Sequence, residues 1–230
     1  MAAQERQKMS KDNLRSISFV LPNVLSVIAI IISVVSFGYT VLKDNWDSQE
    51  RISVTNSSFS YNDTLSYDMA GAFRGQGLLD GMNYTVILSN NSKQKVSLVS
   101  YDLFQRGNNS RFQYGNMVEA VRDQKGQEIL FPLSIDSGDS IALTFEINTL
   151  IPSDVNMLLM QKYGVSGEIP SEDIRTYLGE NGCDVFGNDV NYTVYGDGSY
   201  IIEIEAPSFP AYDLEIQTSK ETLVRAILTQ

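Results

Sequence analysis

Two segments gather oxygen-bearing side chains of the kind that bind calcium. Asp136 and Asp139 flank a Ser-Gly pair, and Asp184 is followed by Asn188 and Asp189. Calcium takes about six to eight oxygen ligands, and loops of this composition supply them, although neither segment has the EF-hand spacing. Aspartate and asparagine are also common turn formers. We therefore predict that both segments are turns and that the chain uses no metal or other cofactor.

Other residues that carry chemistry are poorly arranged for catalysis. The chain has no histidine and one cysteine, Cys183, which excludes Ser-His-Asp and Cys-His nucleophiles and an internal disulfide. Because an acidic neighbour such as Asp184 disfavours the thiolate, we expect an unreactive thiol. The glycine-rich stretch Gly71–Gly81 has Asp80 in place of the third glycine of a dinucleotide loop and precedes a strand. We predict a flexible loop there.

Carboxylates are numerous. The 230 residues include 28 Asp and Glu against 17 Lys and Arg, for a net charge of −11. Two carboxylates facing one another are the machinery of a glycoside hydrolase, so this composition leaves that activity open. The same charge provides no electrostatic surface for a phosphate backbone, and we expect no nucleic-acid partner.

The triplet Asn-x-Ser/Thr occurs six times, at Asn56, Asn62, Asn83, Asn90, Asn108 and Asn191. In a eukaryotic secretory protein these would be glycan acceptors on surface loops. Asparagine also forms turns where strands begin and end, and the chain has no cysteine pairs of the kind found in secreted domains. We therefore favour a bacterial source and a structural role for these residues.

One segment is long and apolar enough to cross a membrane. Residues 17–42 contain no charged side chain, and about 20 helical residues span a bilayer core. Hydroxyl groups within the segment can bond to the helix backbone and cost little in lipid. We predict an uncleaved transmembrane helix over 17–42 that contacts the lipid bilayer. The alternative is a signal peptide cleaved after Gly38.

The charges that flank this segment predict its orientation. Residues 1–16 carry four basic and two acidic side chains. By the positive-inside rule this tail lies in the cytoplasm, and the chain beyond residue 42 is exported across the cell membrane. Residues 43–63 are polar and rich in serine and asparagine, which predicts a stalk or a first edge strand.

From residue 64 the chain has the pattern of short strands joined by turns. Residues 83–90 and 95–104 are predicted to pair antiparallel through the turn at 90–92. Residues 141–147 alternate between apolar and polar side chains. One face of that strand should therefore lie in the core, and its residues are Ile141, Leu143, Phe145 and Ile147.

Helix signals are confined to one stretch. Ser153 and Ser171 are good N-cap residues, which predicts a helical insertion at about 152–182 in a β domain that spans 64–230. The end of the chain, from Tyr212, forms either a hairpin around Ser219 or a C-terminal helix.

Residues 182–200 combine small polar residues with aromatic ones. The Gly-Asp-Gly turn at 196–198 predicts a hairpin between 191–195 and 199–206. Aromatic side chains on small polar loops are typical of recognition surfaces. We predict that Phe186 and Tyr195 contact a partner; the alternative is that they cap one end of the domain.

A resemblance adds to this interpretation. The run YTVILSNNSKQKVSLVSYDLF, followed by FPLSIDSGDSIALTFEINTLIP, resembles the Ig-like ectodomains of uncharacterised single-pass bacterial membrane proteins. It covers about 70 residues and implies an antiparallel Ig-like β-sandwich. The Cys-Trp-Cys core of antibody domains is absent, and the resemblance implies no activity.

Together these patterns predict a mainly β protein, in which one N-terminal transmembrane helix precedes a β-sandwich with a helical insertion. Its expected function is that of a non-catalytic binding module of the cell envelope, with a protein or a glycan as partner. The alternatives are an envelope-polymer hydrolase that uses a carboxylate pair and an accessory subunit of a membrane complex.

Overall fold

The computed structural model describes residues 2–68, 75–107, 110–115 and 117–230, with side chains from residue 25 onward except 56 and 57. Residues 71–74 of the predicted glycine-rich loop lie outside the described residues. Asn108, which begins one of the Asn-x-Ser/Thr triplets, also lies outside them. The chain divides into two compact units, one ending at Gln49 and the other spanning Glu50–Gln230.

The first unit is one helix, α1 (Ala2–Asp47). Within it, Leu25–Asp47 contains an 18-residue stretch with a mean hydropathy of 2.3, and its apolar side chains are exposed. By length and composition this segment can cross a membrane, and a signal sequence passes the same test. The hydroxyls of Ser33 and Thr40 donate to the carbonyls of Ala29 and Ser36, as predicted. The helix is longer than the predicted 17–42 because polar residues at both ends continue it.

The second unit is mainly β. Its strands and helices are, in chain order, β1 (Ile52–Tyr61), β2 (Thr64–Asp68), β3 (Gly77–Asn90), β4 (Val96–Arg106), β5 (Arg111–Phe112), β6 (Val118–Arg122), β7 (Leu133–Ile135), β8 (Ser140–Ile151), α2 (Ser153–Tyr163), β9 (Ser166–Pro170), α3 (Ser171–Glu180), β10 (Val190–Val194), β11 (Tyr200–Ile204), β12 (Tyr212–Thr218) and β13 (Leu223–Leu228).

Two antiparallel sheets account for most of these strands. The first has the order β6-β8-β3-β2-β9, and β1 also pairs with β3. The second has the order β13-β12-β4-β5, and β7 also pairs with β4. Strands β10 and β11 form a separate two-stranded sheet, which confirms the predicted hairpin. The end of the chain forms the β12–β13 hairpin rather than a helix.

The two sheets enclose one hydrophobic core. Leu143, Phe145 and Ile147 are fully buried in it, and Ile141 packs against it, so the predicted inward face of β8 is confirmed. The facing sheet contributes buried residues of β4 and β12, among them Leu98 and Leu214. Burial of both inner faces is what stabilises two sheets against one another.

The predicted pairing of 83–90 with 95–104 is wrong. These segments become β3 and β4, which lie in different sheets. The Asn90 side chain holds the chain between them: its Nδ2 donates to the carbonyls of Gln94, Ile135 and Asp136 at 2.8, 2.9 and 3.2 Å. The Asn90 side chain, which is 1% exposed, thereby ties the segment between β3 and β4 to the segment between β7 and β8. Each of these two segments crosses from one sheet to the other.

The expected stalk over 43–63 also requires correction. Residues Ile52–Tyr61 form β1, which pairs with β3 along almost its whole length. Of the two predicted alternatives, the strand is therefore the one that the structure shows. The folded unit begins at Glu50, not at residue 64.

The helical insertion at 152–182 contains a strand as well as two helices. Strand β9 separates α2 from α3 and pairs with β2, so this stretch extends the first sheet. The predicted N-caps are also wrong. Pro152 and Pro170 occupy the N-cap positions with extended backbone angles, and neither helix has a side-chain cap hydrogen bond. A second buried cluster, which includes Leu79, Val155 and Ile174, lies between these helices and the sheet.

Candidate binding site

The two residues predicted to contact a partner lie on opposite sides of β10 in the chain and have different surroundings. Phe186 is half-buried, packs against the second cluster and makes an edge-to-face contact with Phe209 at 5.5 Å between ring centroids. Tyr195 follows the last residue of β10 and is 48% exposed. The structure therefore gives Phe186 a packing contact and leaves Tyr195 open to solvent.

One face of the β10–β11 hairpin packs on α3. Tyr192 points at the helix, where Gly179 leaves room for its ring: a Cβ built on Gly179 would lie 2.7 Å from Cδ2 of Tyr192. Tyr200 lies against Tyr192 at 5.4 Å between ring centroids. Val190, at the base of the hairpin, is buried. These contacts fix the hairpin at its base and along one face.

The tip of the hairpin, defined here as Val194, Tyr195 and Ile201, is apolar and exposed. These side chains are 58%, 48% and 45% exposed. The turn beneath them is ordered by hydrogen bonds, because Oδ1 of Asp197 accepts from both the backbone N–H and the hydroxyl of Ser199. The same bonds lower the pKa of Asp197. Val194 pairs with Tyr200 and Ile201 pairs with Thr193, so these two apolar side chains project from opposite faces of the structured turn.

The loop at 184–188 is a turn, as its composition predicts. Oδ1 of Asp184 accepts from the backbone N–H groups of Phe186 and Asn188, both at 2.8 Å. Oδ2 of Asp184 accepts from Nδ2 of Asn188, also at 2.8 Å. Both carboxylate oxygens of Asp184 are therefore engaged within the loop. Among the described residues no group of three or more acidic or cysteine side chains is placed to hold a metal ion.

A cavity of about 240 Å³ lies at the base of the hairpin, next to this loop. It is bounded by α3, β11 and the end of β1. Its lining comprises Tyr61, Arg175, Cys183, Asp184, Val185, Ile202, Ile204, Phe209 and Gln230. Sequence reasoning identified only the 183–185 part of this lining. The other residues are distant in sequence, and no local pattern indicates that they meet.

Burial is the main cause of the pKa shifts of two residues that line the cavity, Tyr61 and Cys183. It raises the pKa of the Tyr61 hydroxyl, and the charge of Asp184 adds to the effect. It also raises the pKa of the Cys183 thiol, with smaller contributions from Asp154, Asp184 and Asp189. The direction agrees with the prediction of an unreactive thiol, but burial rather than an acidic neighbour is its main cause.

Three carboxylates of the first sheet, those of Asp80, Glu119 and Glu146, interact electrostatically. Burial raises the pKa of Asp80, with Glu146 and Glu119 adding to the shift. Glu146 is engaged on both oxygens, by Nδ2 of Asn62 at 2.8 Å and by Nε of Arg122 at 3.1 Å. These partners give Glu146 a structural role in joining strands, and the hydrolase stays a prediction.

The Asn-x-Ser/Thr triplets have mixed surroundings. Asn90 is buried, and Nδ2 of Asn83 donates to Oδ1 of Asn62 at 2.7 Å. Asn191 is exposed. For Asn62, Asn83 and Asn90 the side chain therefore holds the fold together, which agrees with a structural role.

Comparison of the chain with protein-family models, with curated proteins and with solved structures finds no match.

Proposed function

We propose that this chain is a membrane-anchored, non-catalytic binding module of a bacterial cell envelope, which contacts a partner protein through the tip of the β10–β11 hairpin. In this proposal α1 anchors the chain in the lipid bilayer, and the unit from Glu50 is displayed outside the cytoplasm. No nucleic acid takes part.

The tip is the observation that carries the proposal. Its three apolar side chains are exposed, and within the described part of the chain β10 and β11 pair only with each other. A tyrosine held on a rigid turn loses little conformational entropy on binding, which makes Tyr195 suited to anchor a partner.

The anchor and its orientation rest on the sequence of α1. An apolar stretch with exposed side chains at Leu25–Asp47 suits lipid better than water. The basic residues within 1–16 favour a cytoplasmic N-terminus. The second unit then places its acidic surface outside the cell membrane, where repulsion keeps it away from anionic lipid headgroups.

The Ig-like character of the second unit is part of the proposal. Two antiparallel sheets that enclose one core, with consecutive strands crossing from one sheet to the other at β3–β4 and β7–β8, support an Ig-like sandwich. The helices and β9 would then be an addition to the sandwich that carries the hairpin.

Site-specific photocrosslinking tests the partner surface. A benzophenone amino acid in place of Tyr195 is expected to capture one envelope protein in intact cells, identified by mass spectrometry. The matched control is the same substitution at Leu130, which is 79% exposed and lies outside the hairpin. Capture at Tyr195 should be lost when Ile201, which lies on the face of the hairpin opposite to Val194, is changed to serine. Equal capture at both positions, or only glycan adducts at Tyr195, would overturn the proposal.

A further inference from the structure

We propose that the cavity at the base of the hairpin binds a small apolar molecule that ends in an oxygen acceptor, such as a short-chain carboxylate or amide. This inference is independent of the partner surface at the hairpin tip.

The walls of the cavity suit an apolar chain. Val185 contributes from the loop, Ile202 and Ile204 from β11, and Phe209 from the segment before β12. A volume of about 240 Å³ is below the range of about 300–1,000 Å³ that is typical of sites for drug-sized ligands. The ligand is therefore small, and most of its surface is hydrocarbon.

Arg175 and Tyr61, two residues that carry hydrogen-bond donors, both line the cavity. The guanidinium carbon of Arg175 lies 6.0 Å from the ring centroid of Tyr61. Nε of Arg175 donates only weakly, to the Ser171 carbonyl at 3.4 Å in its own helix. Among the described residues no carboxylate forms an ion pair with Arg175, and no group hydrogen-bonds to the Tyr61 hydroxyl. Two such donors select an oxygen acceptor.

Both oxygens of the Asp184 carboxylate in the lining are engaged by its own loop, and its negative charge still acts on the Tyr61 hydroxyl. Asp184 already accepts three hydrogen bonds, from the two backbone N–H groups and the one side-chain amide of its own loop. A cationic ligand would instead have to lie beside Arg175. The arrangement thus favours a ligand that accepts hydrogen bonds over one that donates them.

Cys183 provides a built-in reporter, because it lines the cavity and is the single cysteine of the chain. The full-length protein in lipid nanodiscs is treated with N-ethylmaleimide at mildly alkaline pH, because burial raises the pKa of the Cys183 thiol, and labelling is followed by intact mass. Hexanoate and hexanamide are expected to slow labelling with a saturable dependence on concentration. Hexylammonium, which has the same chain with a donor at its end, is expected not to.

Variants decide whether the protection arises at this cavity. Arg175→Gln should weaken protection by hexanoate about tenfold, the usual loss for a hydrogen bond to a charged group. Lys125→Gln removes the same charge in the 123–126 turn outside the cavity and should leave protection unchanged. Ile204→Trp should fill the cavity and slow labelling without any ligand. If Ile204→Trp lowers the melting temperature, Ile202→Phe is used in its place to fill the cavity.

The inference is overturned if hexylammonium protects as well as hexanoate, or if Arg175→Gln leaves protection intact. It is also overturned if neither acceptor slows a labelling reaction that cavity filling does slow. Tyr195→Ala should leave protection unchanged. If crosslinking to a partner fails while protection of Cys183 is retained, only the partner surface is refuted. If crosslinking succeeds while protection fails, only the cavity proposal is refuted.

Discussion

Gly179 of α3 and Tyr192 of β10 are packed so closely that no side chain fits between them. A Cβ at Gly179 would lie 2.7 Å from Cδ2 and 3.0 Å from Cγ of the Tyr192 ring. This contact positions the hairpin on the helix, and with it both the tip and the wall of the cavity. Glycine in a helix costs about 1 kcal/mol relative to alanine, so the contact comes at the expense of local helix stability.

Gly179→Ala is expected to loosen the hairpin. Overpacking of this kind costs about 1–3 kcal/mol, which exceeds the gain in helix propensity. We expect faster hydrogen exchange at Val190–Val194 and a lower melting temperature. Gly196→Ala is the control, because nothing lies within 4 Å of a Cβ at that position. A second change, Tyr192→Val, should restore the exchange rates of the alanine variant; if it does not, the ring is not what the methyl group displaces.

Asn90→Ala is expected to destabilise the second unit strongly. It removes the donor to three carbonyls and the acceptor for the Ser92 backbone N–H, in a site closed to solvent. Each buried polar group left without a partner costs about 1–3 kcal/mol. With about 2–4 °C per kcal/mol for a unit of this size, the melting temperature should fall by more than about 5 °C.

Asn91→Ala provides the comparison for this effect. Nδ2 of Asn91 donates to the Ser53 hydroxyl at 2.9 Å in an exposed setting. We expect its melting temperature to stay within about 2 °C of the parent, as for most surface substitutions. Similar losses in both variants would mean that the turn as a whole, rather than the buried amide, holds the crossing.

The interactions of Glu215 with Arg111 and Arg225 make the stability of the second unit depend on pH in the acidic range. The hydrogen bond of Glu215 with Arg111, together with the charges of Arg111 and Arg225, lowers the pKa of this carboxylate. A carboxylate with a lowered pKa stabilises the fold above its ordinary pKa, and this contribution is lost as the pH falls through the lowered value. The melting temperature of Glu215→Gln should therefore be lower than that of the parent at pH 7, and the two should converge in acid. Parallel curves would contradict this linkage.

The anchor makes a prediction about fractionation. If the apolar segment of α1 stays in the bilayer, the full-length chain should remain with membranes through alkaline carbonate washing. Protease added from outside, to cells whose outer layers are opened, should then degrade the chain beyond residue 49. Release into the soluble fraction with a new N-terminus near Tyr39 would instead identify a cleaved signal sequence.

The sequence by itself determined the features that depend on neighbouring residues. The uncharged run before Lys43 predicts a long apolar helix, because hydrocarbon excludes charge. Alternation at 141–147 predicts the inward face of β8, because successive side chains of a strand point to opposite faces. The Gly-Asp-Gly turn predicts the β10–β11 hairpin for a similar local reason. In each case the pattern and the structure involve the same few residues.

Tertiary structure decided which elements meet. Alternation shows that β3 and β4 each bury one face, but two strands that face each other across a core have the same pattern as two strands that pair. Buried hydrogen bonds of Asn90 with a segment about 45 residues further along the chain accompany the crossing between sheets, and no local signal shows them. The cavity brings together Tyr61 of β1, Arg175 of α3 and Phe209 of the segment before β12, so only the packing of these distant segments against the hairpin creates it.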